Sequence, residues 1–146
     1  MLWLSMGLGK TVVTLSAIRT LQMMGQVKSV LVVAPLRVCR TVWRQEAHKW
    51  SHLQGLQFSL ILGSAGERQQ AMLRKADIYL INYENIPWLT QQIEHYWLKR
   101  GRYSPFDMVV WDEVSKMKNA SSKRTSAIAR ILPFFNRRIG LTGRCR

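Results

Sequence analysis

The sequence predicts an α/β fold in which a mainly parallel β-sheet is covered by helices on both faces. Short β-branched runs alternate with longer amphipathic segments, which is the element order of βα units. Most of the short runs are solidly apolar, as expected for strands that are buried on both faces. The composition agrees, because the chain of 146 residues is 47% hydrophobic and contains only 9 Gly and 4 Pro. It holds enough apolar material for a core and does not resemble a disordered chain.

Six short segments are predicted strands. Each is apolar or β-branched, and polar or glycine-containing stretches separate it from its neighbours. They cover residues 2–4, 30–34, 57–62, 78–82, 108–111 and 138–141.

Longer segments between the strands are predicted helices, at residues 11–24, 37–50, 67–75, 86–99 and 121–132. In the first helix apolar side chains occupy most sides, so we expect it to be deeply packed, with Met23 and Met24 filling the core. Gly25 provides its C-terminal stop.

The second predicted helix places five apolar residues on one face. They are Val38, Val42, Trp43, Ala47 and Trp50. We expect three tryptophans, Trp43, Trp50 and Trp111, to pack in the core, because no regular series of exposed rings suggests a base-stacking surface.

Several protein classes are excluded by composition. The longest apolar run, residues 30–34, is far shorter than the ~18 residues of a transmembrane helix, and the first residues do not form a secretory signal, so we expect a cytosolic protein without membrane contact. Cys39 and Cys145 lie far apart, which predicts free thiols in a reducing compartment and no structural metal. Without a repeat or linker, residues 1–146 are expected to form one domain.

A glycine-rich segment between the first strand and the first helix is a candidate phosphate-binding loop. It consists of Met6, Gly7, Leu8, Gly9, Lys10 and Thr11. Glycines let backbone amides approach phosphate at a helix N-terminus, Lys10 would reach the β and γ phosphates, and the Thr11 hydroxyl would bind Mg²⁺. Leu4 stands where the pattern GxxxxGK[ST] has its first Gly, and the alternative is a glycine-rich turn with a solvated lysine.

Two carboxylates follow the fifth predicted strand. Asp112 would bind the metal through water, and Glu113 would polarise the attacking water for an in-line displacement at the γ phosphate. Adjacent carboxylates after a strand are also common surface features. Their order after the glycine-rich loop is what favours the catalytic interpretation.

Five segments of the chain align, in order, with the motifs of one protein family. The blocks are MGLGKT, VLVVAPLRVCRTVWRQEAHKW, INYE, VVWDEVSKMKN and IGLTG. In this order they resemble the motifs of the Swi/Snf-type DNA translocases of helicase superfamily two. Within that family they are most similar to the phage and prophage members. The resemblance implies a three-layer RecA-like (P-loop) lobe, the first of the two lobes that close on ATP and move along duplex DNA.

The resemblance also implies roles for individual residues. Gly7, Gly9, Lys10 and Thr11 would bind phosphate and Mg²⁺, Asp112 and Glu113 would hold metal and water, and Thr142 and Gly143 would couple the nucleotide and DNA sites. Contacts with the DNA backbone are implied for Pro35, Leu36, Arg37, Asn82 and Tyr83. The implied cofactors are ATP and Mg²⁺, and the implied partner is duplex DNA bound without sequence preference.

The chain departs from the family pattern at four positions. They are Ser5 before MGLGKT, Ser115 where DEAH boxes have His, and Arg144 and Cys145 in place of the Thr and Pro of TGTP. The short first strand and the altered last motif predict a lobe truncated at both ends. The second lobe would then be missing, and the chain alone would be inactive or weakly active. Whether a separate polypeptide supplies that lobe is left open by the sequence.

Basic residues concentrate in the last third of the chain. Residues 99–146 contain 12 Lys and Arg against 3 acidic residues, out of a formal net charge of +14 for the whole chain. Candidates for DNA phosphate contacts are Lys116, Lys118, Lys123, Arg124, Arg137 and Arg138. A solvated face, or a surface for the second lobe, explains the same charge equally well.

Two other functions compete with the ATPase hypothesis. A non-catalytic remnant that binds DNA through its basic face would need no hydrolysis. A P-loop kinase or GTPase lacks support, because the sequence contains no guanine-reading Asn-Lys-x-Asp segment.

Overall fold

The computed structural model describes residues 2–4, 9–98, 104–112, 129–130, 135 and 137–141. All six predicted strands are present. They are β1 (Leu2–Leu4), β2 (Val30–Ala34), β3 (Phe58–Ile61), β4 (Ile78–Asn82), β5 (Met108–Trp111) and β6 (Arg137–Leu141). They form one sheet in the order β1-β6-β5-β2-β4-β3, and every neighbouring pair is parallel.

Helices follow the first four strands at the predicted places. They are α1 (Lys10–Met23), α2 (Trp43–Lys49), α3 (Ala65–Leu73) and α4 (Ile86–Ile93). π-helical turns at Val38–Val42 and Glu94–Leu98 precede α2 and follow α4, and short 3-10 turns lie at Ser51–Leu53 and Tyr83–Asn85. Of the helix predicted at 121–132, only residues 129–130 are described. Among the described residues, no helix is both long enough and apolar enough to cross a membrane.

The sheet is the middle of three layers, as predicted. Alternate residues of β2 point to opposite faces, with Val30 and Val32 in one core cluster and Leu31 and Val33 in the other. The first cluster includes residues of α1 and α2, and the second includes residues of α3 and α4. This division follows from the strand order, because connections that run in opposite directions along a parallel sheet place their helices on opposite faces.

The register brings the carboxyl ends of the strands to one edge of the sheet. Ala34 of β2 pairs with Asn82 of β4, and Val33 pairs with Trp111 of β5. Residues that follow β1, β2, β4 and β5 therefore meet at this edge, which we call the carboxyl edge. Open α/β sheets bind their ligands at this edge.

Two packing predictions for α1 are wrong. Met23 and Met24 are 79% and 60% exposed, because the contacts of the helix with the core end at the partly buried Leu21. Its buried residues are Thr11, Thr14, Leu15 and Ile18. The stop at Gly25 is confirmed, since Gly25 has a φ of +74°, in the left-handed region that favours glycine.

Of the three tryptophans predicted to be in the core, two are buried. Trp43 and Trp111 are 0% and 6% exposed, whereas Trp50 is 43% exposed. Helix α2 ends at Lys49, and Trp50 has an extended backbone. The helical spacing that would have turned Trp50 towards the core therefore stops one residue too early.

Candidate active site

The N-terminus of α1 carries the described part of the predicted phosphate loop. Gly9 is the exposed N-cap residue, and Lys10 and Thr11 form the first turn, which contains no acidic residue. The Thr14 hydroxyl donates a hydrogen bond of 2.7 Å to the Lys10 carbonyl oxygen. Because the first turn contains no acidic side chain, the positive end of the helix dipole is not neutralised from within the turn, and this end of the helix favours binding of an anion. The other predicted loop residues, Met6, Gly7 and Leu8, lie outside the described residues.

Asp112 immediately follows β5 at the carboxyl edge. Its backbone N–H donates to the Val33 carbonyl oxygen at 2.8 Å, which extends the pairing of β5 with β2 by one residue. The Tyr83 hydroxyl donates to the backbone carbonyl oxygen of Asp112. These bonds fix the backbone of a residue that is only 2% exposed. Glu113, the predicted catalytic base, lies outside the described residues.

Lys10 and Asp112 form an ion pair that links the two predicted motifs. The distance from Lys10 Nζ to Asp112 Oδ1 is 2.9 Å, and the side chains are 14% and 3% exposed. A carboxylate that has lost nearly all contact with water needs such a partner, because an unpaired buried charge is costly. The structure therefore brings the lysine of the phosphate loop and the proposed metal carboxylate into direct contact.

The second partner of the Asp112 carboxylate is a residue that the sequence assigned only to the core. Trp43 donates from Nε1 to Asp112 Oδ2 at 3.1 Å, and its side chain is fully buried. The signal that could have revealed this role is the indole N–H itself. A buried tryptophan usually needs an acceptor for that group, and a nearby buried carboxylate provides one.

A buried thiol lies close to this cluster. Cys39 donates from Sγ to the Ala34 carbonyl oxygen at 3.5 Å. Burial raises the pKa of the Cys39 thiol from 9.0 to about 12, and the negative charges of Asp112 and Glu84 act in the same direction. Cys39 is therefore a protonated packing residue and not a nucleophile.

The residues predicted to contact DNA fall into two groups. Leu36 and Arg37 are exposed and Pro35 is half-buried, at the point where β2 passes into the helical segment. Asn82 and Tyr83 are 8% and 4% exposed, and the Asn82 amide nitrogen donates to Glu84 Oε2 at 2.9 Å. A DNA contact at Tyr83 would have to use its backbone, because its hydroxyl is directed at Asp112.

The remaining predicted residues contribute less to the described site. Lys116, Lys118, Thr142 and Gly143 lie outside the described residues, as do Lys123 and Arg124 of the basic group. Arg137 and Arg138 are exposed at the start of β6. Since all strands of the parallel sheet begin at the edge opposite the carboxyl edge, these two arginines lie at the far edge of the sheet from Asp112.

Comparison with known proteins identifies the family of the chain. The model of the SNF2-related domain matches residues 1–144. Protein p41 of Acyrthosiphon pisum secondary endosymbiont phage 1 is 37% identical over 148 aligned residues, which cover 97% of this chain and 31% of p41. The mouse DNA excision repair protein ERCC-6-like is 30% identical over 94% of this chain and 11% of its own length. The chain thus spans less than a third of these relatives.

Solved structures show the same architecture. The Sulfolobus solfataricus SWI2/SNF2 ATPase core in complex with dsDNA superposes with a TM-score of 0.73 and 27% identity, over 95% of this chain and 26% of that one. The UvsW helicase from bacteriophage T4 gives a TM-score of 0.63 at 16% identity, over 92% of this chain and 43% of that one, and supports the fold alone. The chain belongs to the SNF2-related domain family, and its fold is that of the first, RecA-like lobe of an SNF2-type helicase.

Proposed function

We propose that residues 1–146 form the ATP-binding lobe of a DNA-dependent ATPase of the translocase type, acting in the cytoplasm. The observation that supports this most directly is the ion pair of 2.9 Å between Lys10 and Asp112 at the carboxyl edge. It joins a lysine at a helix N-terminus to a carboxylate at the end of a parallel strand. That pairing of groups suits a phosphate chain with its bound metal.

The described residues fit Mg-ATP by the chemistry of their donor groups. Lys10 and the amides at the start of α1 would hold phosphate oxygens, and Thr11 and Asp112 provide oxygen ligands of the kind that Mg²⁺ prefers. Bound Mg²⁺ would neutralise charge on the phosphates and so favour displacement at the γ phosphate. We assign Glu113 as the base that orients water.

The ion pair itself suggests how the site keeps its charge balanced. Lys10 now neutralises Asp112, and both side chains are largely withdrawn from water. On nucleotide binding, Lys10 would exchange the carboxylate for phosphate oxygens, and Asp112 would exchange the ammonium for the cation. Neither group would be left buried without a partner of opposite charge.

Duplex DNA is the proposed nucleic-acid partner. The exposed Leu36 and Arg37 lie just beyond β2, at the same edge as Asp112. A basic side chain there suits the sequence-independent contacts that proteins make with DNA phosphates. The structural relative with a TM-score of 0.73 was solved in complex with dsDNA, which supports the same choice. We also propose that a second helicase lobe, on this or another polypeptide, completes the site.

The alternative is a non-catalytic protein that binds DNA through its basic residues. The exposed Arg137 and Arg138 and the 12 Lys and Arg of residues 99–146 favour it. Phosphate release from ATP, measured with and without duplex DNA for the wild type and Glu113→Gln, separates the two. Release that duplex DNA stimulates and Glu113→Gln abolishes supports the ATPase. DNA binding with no release above background, even when a second lobe is added, supports the alternative.

A further inference from the structure

Among the described residues, Trp43 makes the only side-chain hydrogen bond to the second oxygen of the Asp112 carboxylate. Its Nε1 lies 3.1 Å from Oδ2, while Lys10 Nζ lies 2.9 Å from Oδ1. The two oxygens thus have different partners. One partner is a flexible ammonium at the end of a long chain, and the other is a rigid ring whose N–H can only donate.

The two partners also differ in their freedom to move. The Lys10 side chain is 14% exposed and lies at the open end of α1. Trp43 is 0% exposed and packs in the same core cluster as Val32 and Val110. Lys10 can therefore turn towards another anion, whereas the indole cannot leave without disturbing the core.

We propose that Trp43 is a positioning residue that holds Oδ2 of Asp112, so that Oδ1 is the oxygen presented to Mg²⁺ when Lys10 moves to phosphate. This inference rests on the proposed ATP-binding function. Partners that orient a metal-binding carboxylate typically change metal affinity by about 10- to 100-fold when they are removed. Trp43→Phe keeps an aromatic ring in the core but removes the N–H donor, and would leave the carboxylate free to rotate.

The chain offers a matched control on the same helical segment. Trp50 donates from Nε1 to Glu46 Oε1 at 3.2 Å, and Trp50 is 43% exposed. Trp50→Phe therefore removes the same type of hydrogen bond from a carboxylate that has no proposed role. Asp112→Asn is the positive control, because it removes the negative charge and replaces one carboxylate oxygen with an amide nitrogen.

The experiment measures ATP affinity by isothermal titration calorimetry, with excess Mg²⁺ and with EDTA, for the wild type and the three variants. The quantity compared is the ratio of the two affinities, which reports the contribution of Mg²⁺ and is insensitive to a uniform loss of folded protein. We expect Trp43→Phe to lower this ratio by about 10-fold while affinity in EDTA stays unchanged. Trp50→Phe should leave the ratio at the wild-type value.

The outcomes distinguish this inference from the function on which it rests. If the wild type does not bind Mg-ATP, the proposed function fails and the role of Trp43 fails with it. A different result would overturn the role of Trp43 alone. In that result the wild type binds Mg-ATP and Asp112→Asn lowers the affinity ratio, but Trp43→Phe keeps the wild-type ratio, as Trp50→Phe does. Should Trp43→Phe not fold, β-(3-benzothienyl)alanine at position 43 keeps the shape of the indole without its N–H, and the same two results decide.

Discussion

The Lys10 ammonium and the Asp112 carboxylate lie 2.9 Å apart at the carboxyl edge of the sheet, although 102 positions separate them in the chain. Lys10 is the first residue of the helix after β1, Asp112 immediately follows β5, and β6 lies between these two strands. The ion pair therefore crosses the end of an intervening strand. The candidate site is therefore assembled by the order of the strands in the sheet, and no single local segment contains it.

Breaking this ion pair should destabilise the fold. Lys10→Met leaves the buried Asp112 carboxylate with Trp43 as its described side-chain partner, and we expect a loss of about 3 kcal/mol in the free energy of unfolding. Asp112→Asn and the double variant complete a cycle measured by urea unfolding. We expect a coupling energy of about 1–3 kcal/mol between the two positions.

Lys49→Met provides the control for that cycle. Lys49 pairs with Glu46 at 3.3 Å, and the lysine side chain is 68% exposed. Its removal should cost less than about 1 kcal/mol. Strictly additive effects at positions 10 and 112 would show that the ion pair does not persist in solution.

Arg37 should contribute to DNA affinity through phosphate contact. We expect Arg37→Ala to weaken binding of different duplex sequences equally and to reduce the slope of log affinity against log salt by about 1. Fluorescence anisotropy with labelled duplexes at several salt concentrations measures both quantities. Arg74→Ala is the control, because Arg74 is exposed near the amino end of β4, at the opposite edge of the sheet. An unchanged slope for Arg37→Ala would rule out the contact.

Cys39 should resist alkylation in the folded protein. Because burial raises the pKa of its thiol to about 12, little thiolate is present at pH 8, and access is also blocked. In a Cys145→Ser background, which leaves Cys39 as the sole thiol of the two in the chain, iodoacetamide should react at least about 100-fold more slowly in buffer than in urea. Equal rates would contradict the buried placement.

The buried Cys39 thiol should also lower the stability of the fold at alkaline pH. The pKa of Cys39 in the fold is higher than the ordinary value of 9.0, so the folded state holds its proton when the unfolded chain has lost it. The stabilisation is complete below about pH 9 and is lost as the pH rises towards 12. Cys39→Ala should show a weaker decline in stability over this interval, measured by thermal unfolding at each pH.

The sheet could be predicted from the sequence because its strands are short, apolar and bounded by polar turns. All six appeared within one residue of their predicted ends, and the alternation of strands and helices indicated the parallel pairing. The exposed Met23 and Met24 could not be predicted in the same way. Hydrophobicity does not report how far a helix extends beyond the sheet that it packs on.

The partners of Asp112 were harder to predict than Asp112 itself. A motif specifies Asp112 and Lys10 by chemistry, whereas Trp43 and Tyr83 reach Asp112 only through the order of β2, β4 and β5 in the sheet. The helical spacing of apolar residues correctly predicted that Trp43 is buried, but it did not predict which acceptor its indole N–H would meet. Contacts between distant segments depend on strand order, which spacing along the chain does not contain.

Titration of the chain with Mg-ATP in a calorimeter tests the central claim most directly. The claim predicts saturable binding by the wild type, a loss of about 10- to 100-fold in Lys10→Ala because a charge-assisted hydrogen bond to phosphate is removed, and wild-type affinity in Lys49→Ala. Absence of binding by the wild type at millimolar Mg-ATP, or equal binding by Lys10→Ala, would contradict it.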